Sequence, residues 1–305
     1  MNNRIDRHGV GSPAGPVPHP LGDWAGRTQC GNLECPGRWR ALLKDRRRPM
    51  FEGRWGCSSN CIRQLVAIAI RREAADESTP NASAHRHRIP LGLILLERGW
   101  ISLAQLNHAL EMQRRERTQP IGYWLVTECG VAQSRVTRAL AMQWGCPALT
   151  MEGFDPSAMA LVAPRSLMER YGVVPVKLLA GRILYLAFAD RPDASAAFAI
   201  ERLCGIRVES GIVDSAEWTA ARDRIRQCDS VSETLEQVVD ADALSWKVSS
   251  MVIGLQPRAS RLVRVHQFYW LRLWLEHGAM TSGEGGVPKT GEDVVDRVYT
   301  LNPEQ

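Results

Sequence analysis

The sequence predicts an α+β protein, with a tandem helical-hairpin repeat ahead of antiparallel strands and a paired-cysteine module ahead of both. Three observations carry this. Residues 90–113 and 120–143 repeat each other without a gap: Pro90/Pro120, Leu91/Ile121, Gly92/Gly122, Leu95/Leu125, Ile101/Val131, Leu106/Val136, Ala109/Ala139, Leu110/Leu140, Met112/Met142 and Gln113/Gln143 all pair. A fixed period of this size marks a duplicated structural unit. Further on, Trp270, Arg272 and Trp274 alternate with Leu271, Leu273 and Leu275, which is strand period. Near the start, Cys30 and Cys35 form one close pair and Cys57 and Cys61 another.

Composition sets the bounds. At 305 residues, the chain has room for two or three compact units. A formal net charge of +5 is too mild to imply nucleic acid by itself. No apolar run approaches the length of a membrane span, and the polar first residues lack a signal-peptide core. A cytoplasmic protein with reduced cysteines is the expectation.

Residues 1–27 read as a disordered tail and residues 28–73 as one module. Two thiolate pairs, each on a turn, suit a tetrahedral structural Zn2+ site formed by Cys30, Cys35, Cys57 and Cys61; four incidental cysteines are the alternative. Residues 39–55 are expected to form a hairpin with a basic turn at Arg46, Arg47 and Arg48. Ser58 or Ser59 then caps a helix with Ile62, Leu65, Val66 and Ala69 on its apolar face. Knuckle, hairpin, then knuckle at a helix start resembles treble-clef zinc fingers. Lys and Arg between Arg38 and Arg54, interleaved with Trp39 and Phe51, permit nucleic-acid contact. A module this small needs a metal for stability whatever its role, so nucleic acid is not the favoured partner.

Residues 74–88 read as a polar linker and 89–150 as the repeat. In each unit Pro opens a short helix. Gly99 is placed to end the first in a left-handed cap, and Ser102 to cap the next. Helices are expected over 215–227 and 241–255, and a β-hairpin over 261–265 and 269–275, turning at His266-Gln267. Residues 229–278 thus read as a helix-plus-hairpin appendage, and 279–305, Gly-rich and polar, as a disordered tail.

The repeat pattern of Leu-Gly, apolar pairs, Gly, and Leu, Leu and Gln at fixed offsets resembles the N-terminal domain of type II secretion and type IV pilus assembly ATPases, of the MshE N-terminal type. The likeness runs from about Ile89 to Val213 and includes FDP at 154–156, LAFADRPD at 186–193 and GIRVE at 205–209. It implies that residues 151–228 form a small α/β sandwich: a helix leading to Arg170-Tyr171, a strand pair, a helix and a final strand. It also implies docking on an inner-membrane platform component. Tandem members of the family bind cyclic di-GMP. By that resemblance the framework of such a site is Leu91, Gly92, Leu106, Leu110, Gln113, Ile121, Gly122, Val136, Leu140 and Gln143. The binding form opens each repeat with Arg, whereas this chain has Pro90 and Pro120, which offer neither charge nor donor. Arg86, Arg88 and Arg117 are the nearest substitutes.

Catalytic patterns are wanting. The phosphate-loop candidate at residues 283–291 has Pro288 where that loop needs glycine. With the last residue at Gln305, no ATPase core is expected. The sequence therefore reads as a non-catalytic interaction or regulatory protein, with a cyclic di-GMP receptor and a nucleic-acid-binding regulator as the alternatives.

Overall fold

The computed structural model describes residues 30–36, 49–75, 88–275 and 286–301. The expected tail over 1–27, the basic turn at Arg46–Arg48 and most of the 74–88 linker lie outside these residues. Within them, strands β1 (Met50–Phe51) and β2 (Arg54–Trp55) pair antiparallel and precede helix α1 (Ser59–Ala75). This described hairpin turns at Glu52-Gly53, both at positive φ (46° and 75°). That geometry matches the twist of a tight hairpin.

The repeat forms four helices: α2 (Leu91–Glu97), α3 (Leu103–Arg115), α4 (Ile121–Thr127) and α5 (Gln133–Trp144). Ser102 caps α3 in a reciprocal capping box with Gln105. Gly99 takes φ +65° as expected. In the second unit the left-handed position falls on Gly130 (φ +63°), one residue beyond the Cys129 that aligns with Gly99. The following helix regains the repeat register.

Short helices α6 (Pro156–Met159) and α7 (Arg165–Tyr171) lead into a three-stranded sheet of order β3-β4-β5. Strands β3 (Val174–Leu179) and β4 (Ile183–Phe188) are antiparallel. After helix α8 (Ala194–Cys204), strand β5 (Arg207–Ile212) joins β4 in parallel. Residues 147–149 run beside β5: Leu149 N–H donates to the Ile212 carbonyl at 2.7 Å, and Ile212 N–H to that of Pro147 at 3.0 Å. Gly211 permits this approach, since a Cβ there would lie 2.7 Å from the Pro147 carbonyl oxygen. The repeat is thereby fastened to the sheet.

Helix α9 (Ser215–Arg226) follows. A second sheet then assembles in the order β6-β9-β8-β7 from β6 (Ser232–Val238), β7 (Ala259–Val265), β8 (Phe268–Trp274) and β9 (Val294–Leu301), with helix α10 (Ala241–Leu255) on one face. Helix α10 and the β7–β8 hairpin fall where the sequence puts them. Strands β6 and β9 correct the expectation for 229–278 and for the described part, 286–301, of the expected tail, the rest of which lies outside the described residues: the appendage has four strands, and residues 294–301 supply one of the two inner ones.

Every residue of β8 is buried, because the second sheet is covered on both faces. Val263, Val265, Phe268, Trp270, Trp274, Val294 and Val298 join the core that extends through the first sheet and the repeat. Leu262, Tyr269, Leu271, Leu273 and Tyr299 pack instead with Val248 and Val252 of α10, and with Phe51, Ile62, Leu65, Val66, Ala69 and Ile70 of the cysteine module. The module and the appendage, read separately from the sequence, share one core. At the β7–β8 turn, His266 stacks on Tyr171 (4.6 Å) and reaches Asp193, the α8 cap, at 2.9 Å.

Candidate functional site

The four N-terminal cysteines come together as their spacing predicts. Cys30 and Cys35 flank a turn in which Asn32 bonds back to the backbone at Glu34 and Cys35. Cys57 and Cys61 flank the start of α1, where the Ser58 hydroxyl accepts from Cys61 N–H. Gly31 N–H donates to the Trp55 carbonyl at 2.8 Å, tying the first turn to the hairpin that carries the second. All four sulfurs lie within 4.8 Å of one another, with Cys35 to Cys57 at 3.3 Å and Cys57 to Cys61 at 3.5 Å.

The donor set fits a metal ion. Zinc–sulfur bonds of ~2.3 Å place tetrahedral thiolates ~3.8 Å apart, inside the observed spread. Two donors further polarise the sulfurs: Asn32 Nδ2 to Cys61 at 3.6 Å and Cys57 N–H to Cys30 at 3.5 Å. Burial opposes ionisation of Cys61, but hydrogen bonds from Ser58 and Asn32 outweigh it and bring that thiol to about 7. Burial and the neighbouring sulfurs push Cys57 up to about 12. A cation at the centre would reverse that penalty and hold the sulfurs deprotonated.

The second candidate site lies in the repeat. The framework residues meet across the two hairpins with approximate two-fold exchange. A Cβ on Gly92 would meet Leu106 at 2.5 Å and Ile121 at 3.7 Å; one on Gly122 would meet Val136 at 3.0 Å and Leu91 at 3.6 Å. Leu91, Leu106, Val136 and Leu140 are buried in the main core, with Leu110 and Ile121 packed against it. Gln143 Nε2 donates to the Ile89 carbonyl at 2.8 Å, while Gln113 is half-buried near the end of α3. These residues thus make the helix packing itself. Pro90 and Pro120 are exposed at the starts of α2 and α4. Of the basic substitutes, Arg88 stacks on Trp144 at 3.5 Å, Arg117 is exposed, and Arg86 lies outside the described residues.

Gly286 and Gly291, the described glycines before β9, have packing roles. Gly286 N–H donates to the Cys204 carbonyl at 2.7 Å, Trp274 Nε1 donates to the Gly286 carbonyl, and Gly291 packs on Ser230. Among the described residues, no helix is long and apolar enough to cross a membrane.

Sequence reasoning missed a charged cluster at the open edge of β7. Glu52, Arg72 and Glu73 gather there, with Glu73 only 2% exposed. Glu73 also pairs with Arg202 at 2.8 Å. No local signal marks it: Arg72 and Glu73 are neighbours on α1 and read as part of an ordinary solvated face, and Glu52 lies outside that helix.

Residues 144–231 match the MshEN domain family. The match opens on the last residue of α5, so it covers the first sheet and its helices, and the tandem repeat precedes it. The chain is 32% identical over 136 residues to the type IV pilus assembly ATPase PilB of Myxococcus xanthus, and 36% identical over 107 residues to PilB of Thermus thermophilus. These alignments take in 44% and 34% of this chain but only 24% and 12% of the relatives, so the chain spans a quarter or less of their length. Among solved structures, MshE with cdg is similar over 45% of this chain and 99% of that one, at 26% identity and a TM-score of 0.37. The N-terminal domain of XpsE is similar over 44% of this chain and 92% of that one, at 20% identity and a TM-score of 0.32.

Proposed function

We propose that this chain is a non-catalytic interaction or regulatory protein of the cytoplasm. It would use a domain related to the N-terminal domain of secretion and pilus ATPases to dock a protein partner, with a structural zinc ion in the cysteine module. The observation that supports it most is the MshEN segment at 144–231, whose helices and sheet belong to one continuous core. In the pilus ATPases the corresponding domain belongs to a motor. Here the partner class is the one that domain would engage, an inner-membrane platform component facing the cytoplasm.

The zinc ion would be held by Cys30, Cys35, Cys57 and Cys61 and would cross-link the two turns. Elemental analysis of protein purified without added metal tests this. One zinc per chain is expected, and less than ~0.2 per folded chain overturns it. Titration with the cytoplasmic domain of a platform protein tests the docking reading: saturable binding that persists after Lys289→Ala supports it. ATP turnover, whether or not Lys289→Ala removes it, would overturn the non-catalytic reading. The second reading is a cyclic di-GMP receptor. It is favoured by the surviving Leu, Gly and Gln framework and opposed by Pro90 and Pro120.

A further inference from the structure

An edge strand carries unpaired backbone groups that invite pairing with another chain. Strand β7 is one edge of the second sheet, and the cysteine module guards it. Leu262 N–H donates to Glu52 Oε1 at 3.1 Å, and the Leu262 carbonyl accepts from Arg72 Nη2 at 3.3 Å. Glu52 and Arg72 are themselves a two-pronged pair at 2.7 and 2.9 Å. One carboxylate and one guanidinium thus do for Leu262 what the backbone of a neighbouring strand would do. On either side, Ser260 Oγ accepts from Glu52 N–H at 3.2 Å, and Arg264 N–H donates to Glu73 Oε2 at 3.0 Å. These alternate residues, 260, 262 and 264, are the ones whose groups turn outward.

Glu52 and Glu73 are held in place differently. Glu73 sits on α1, which has its own core contacts through Ile62, Leu65, Val66, Ala69 and Ile70. Glu52 sits at the tip of a hairpin whose strands have two residues each. A ribbon that short has little stability of its own. It is anchored by Phe51 in the core and, at its base, by the turns that bear the four cysteines.

We propose that the cysteine hairpin is a metal-dependent cover for the β7 edge, which keeps Leu262 from pairing with foreign extended backbone. This rests on the zinc reading above. Metal binding sets the base of the hairpin, the base sets Glu52, and Glu52 with Arg72 closes the edge. Loss of metal opens the edge at Leu262 and leaves Arg264 closed under Glu73. The groups uncovered are the Leu262 N–H and carbonyl, the kind of unpaired backbone pair that an edge strand must otherwise hide.

Amide hydrogen exchange on the full chain tests this, with metal content measured on the same samples. After chelation, exchange at Leu262 is expected to rise about tenfold or more, while Arg264 and Leu271 stay as they were. Glu52→Ala with its metal retained is expected to accelerate Leu262 alike. Slow exchange at Leu262 in a fully demetallated chain overturns the metal dependence and leaves the zinc reading standing. Slow exchange in Glu52→Ala overturns the cover itself. Equal acceleration across β8 means global loosening and also overturns the proposal. Protein that never held metal sinks the zinc reading, and Glu52→Ala then still decides whether Glu52 covers the edge.

Discussion

Arg272 on β8 and Asp296 on β9 stand directly opposite each other and are both fully buried, joined at 2.7 Å (Nη2 to Oδ2) and 2.8 Å (Nε to Oδ1). The remaining polar capacity is used as well. Trp270 Nε1 donates to Asp296 at 2.9 Å, and Arg272 Nη1 donates to the Val162 carbonyl, across the boundary between the second sheet and the MshEN segment. A buried pair of this kind costs much desolvation, so its net contribution is small, but breaking it strands a charge.

Removing one partner is therefore predicted to be worse than removing both. Asp296→Ala should destabilise by ~3–5 kcal/mol, because the guanidinium stays buried without its counter-charge. Arg272→Met with Asp296→Leu should recover most of that loss. Urea denaturation of the single and double variants measures it. A double variant no more stable than the single one would mean that the pair acts chiefly through its geometry.

The same pair explains what the sequence concealed. Val294, Asp296 and Val298 are one buried face of β9, and Trp270, Arg272 and Trp274 one buried face of β8. Period alone exposed β8, whose other residues are strongly apolar. In β9 a carboxylate occupies a core position behind a glycine-rich stretch, and the segment looks like a polar tail until its arginine is known. Strand β6 escaped for a different reason: it is an edge strand with Leu235 exposed and two glutamates, and carries little periodic signal. The cysteine cluster and the repeat were legible because their spacing is local chemistry. The contact of Glu52 with β7 spans more than 200 residues, so no local pattern announces it.

Cys204 beside this pair predicts a pH response. Burial pushes its thiol from the ordinary value of 9.0 up to about 11, with Arg272 and Arg261 pulling down and Asp296 pushing up. Below about pH 9 the thiol is protonated folded and unfolded, and its contribution is intact. Between about 9 and 11 the unfolded chain loses the proton first, so stability falls, by at most about 3 kcal/mol from this group. Burial raises Tyr171 in the same sense, to about 12. Cys204→Ala should flatten the fall between pH 9 and 11 in a urea-midpoint series; an unchanged slope would show that other groups govern it.

Gly211 tests the joint between repeat and sheet. An alanine there would press on the Pro147 carbonyl at 2.7 Å and Leu149 Cγ at 2.5 Å. The backbone contact cannot give without opening the 147–149 bridge, so Gly211→Ala should cost ~1–3 kcal/mol. Gly92→Ala is the comparison. It presses on the tip of Leu106 alone, with Ile121 at ordinary contact distance, and it gains ~1 kcal/mol of helix propensity, so its net cost should be smaller. Thermal melts of both variants give the order, and a larger loss for Gly92→Ala would place the weak point inside the repeat.

The last prediction concerns Pro90 and Pro120. Both lie at helix starts, exposed, with no side-chain cap; the resemblance noted from the sequence implies arginines there in the repeats that bind cyclic di-GMP. The framework behind them is occupied with its own packing: Leu91 and Ile121 face the opposing glycines, and Gln143 is bonded to Ile89. Each charge-assisted hydrogen bond contributes ~1.5–3 kcal/mol, so losing one per repeat removes ~3–6 kcal/mol. That is roughly two to four decades of affinity, and binding weaker than ~100 μM is expected of this chain. Pro90→Arg with Pro120→Arg should recover part of it, since neither proline is buried and the helix starts need no change. Calorimetry on both proteins decides. Micromolar binding by the unmodified chain would promote the receptor reading, with Arg88, already stacked on Trp144 beside the end of α5, as the first residue to replace.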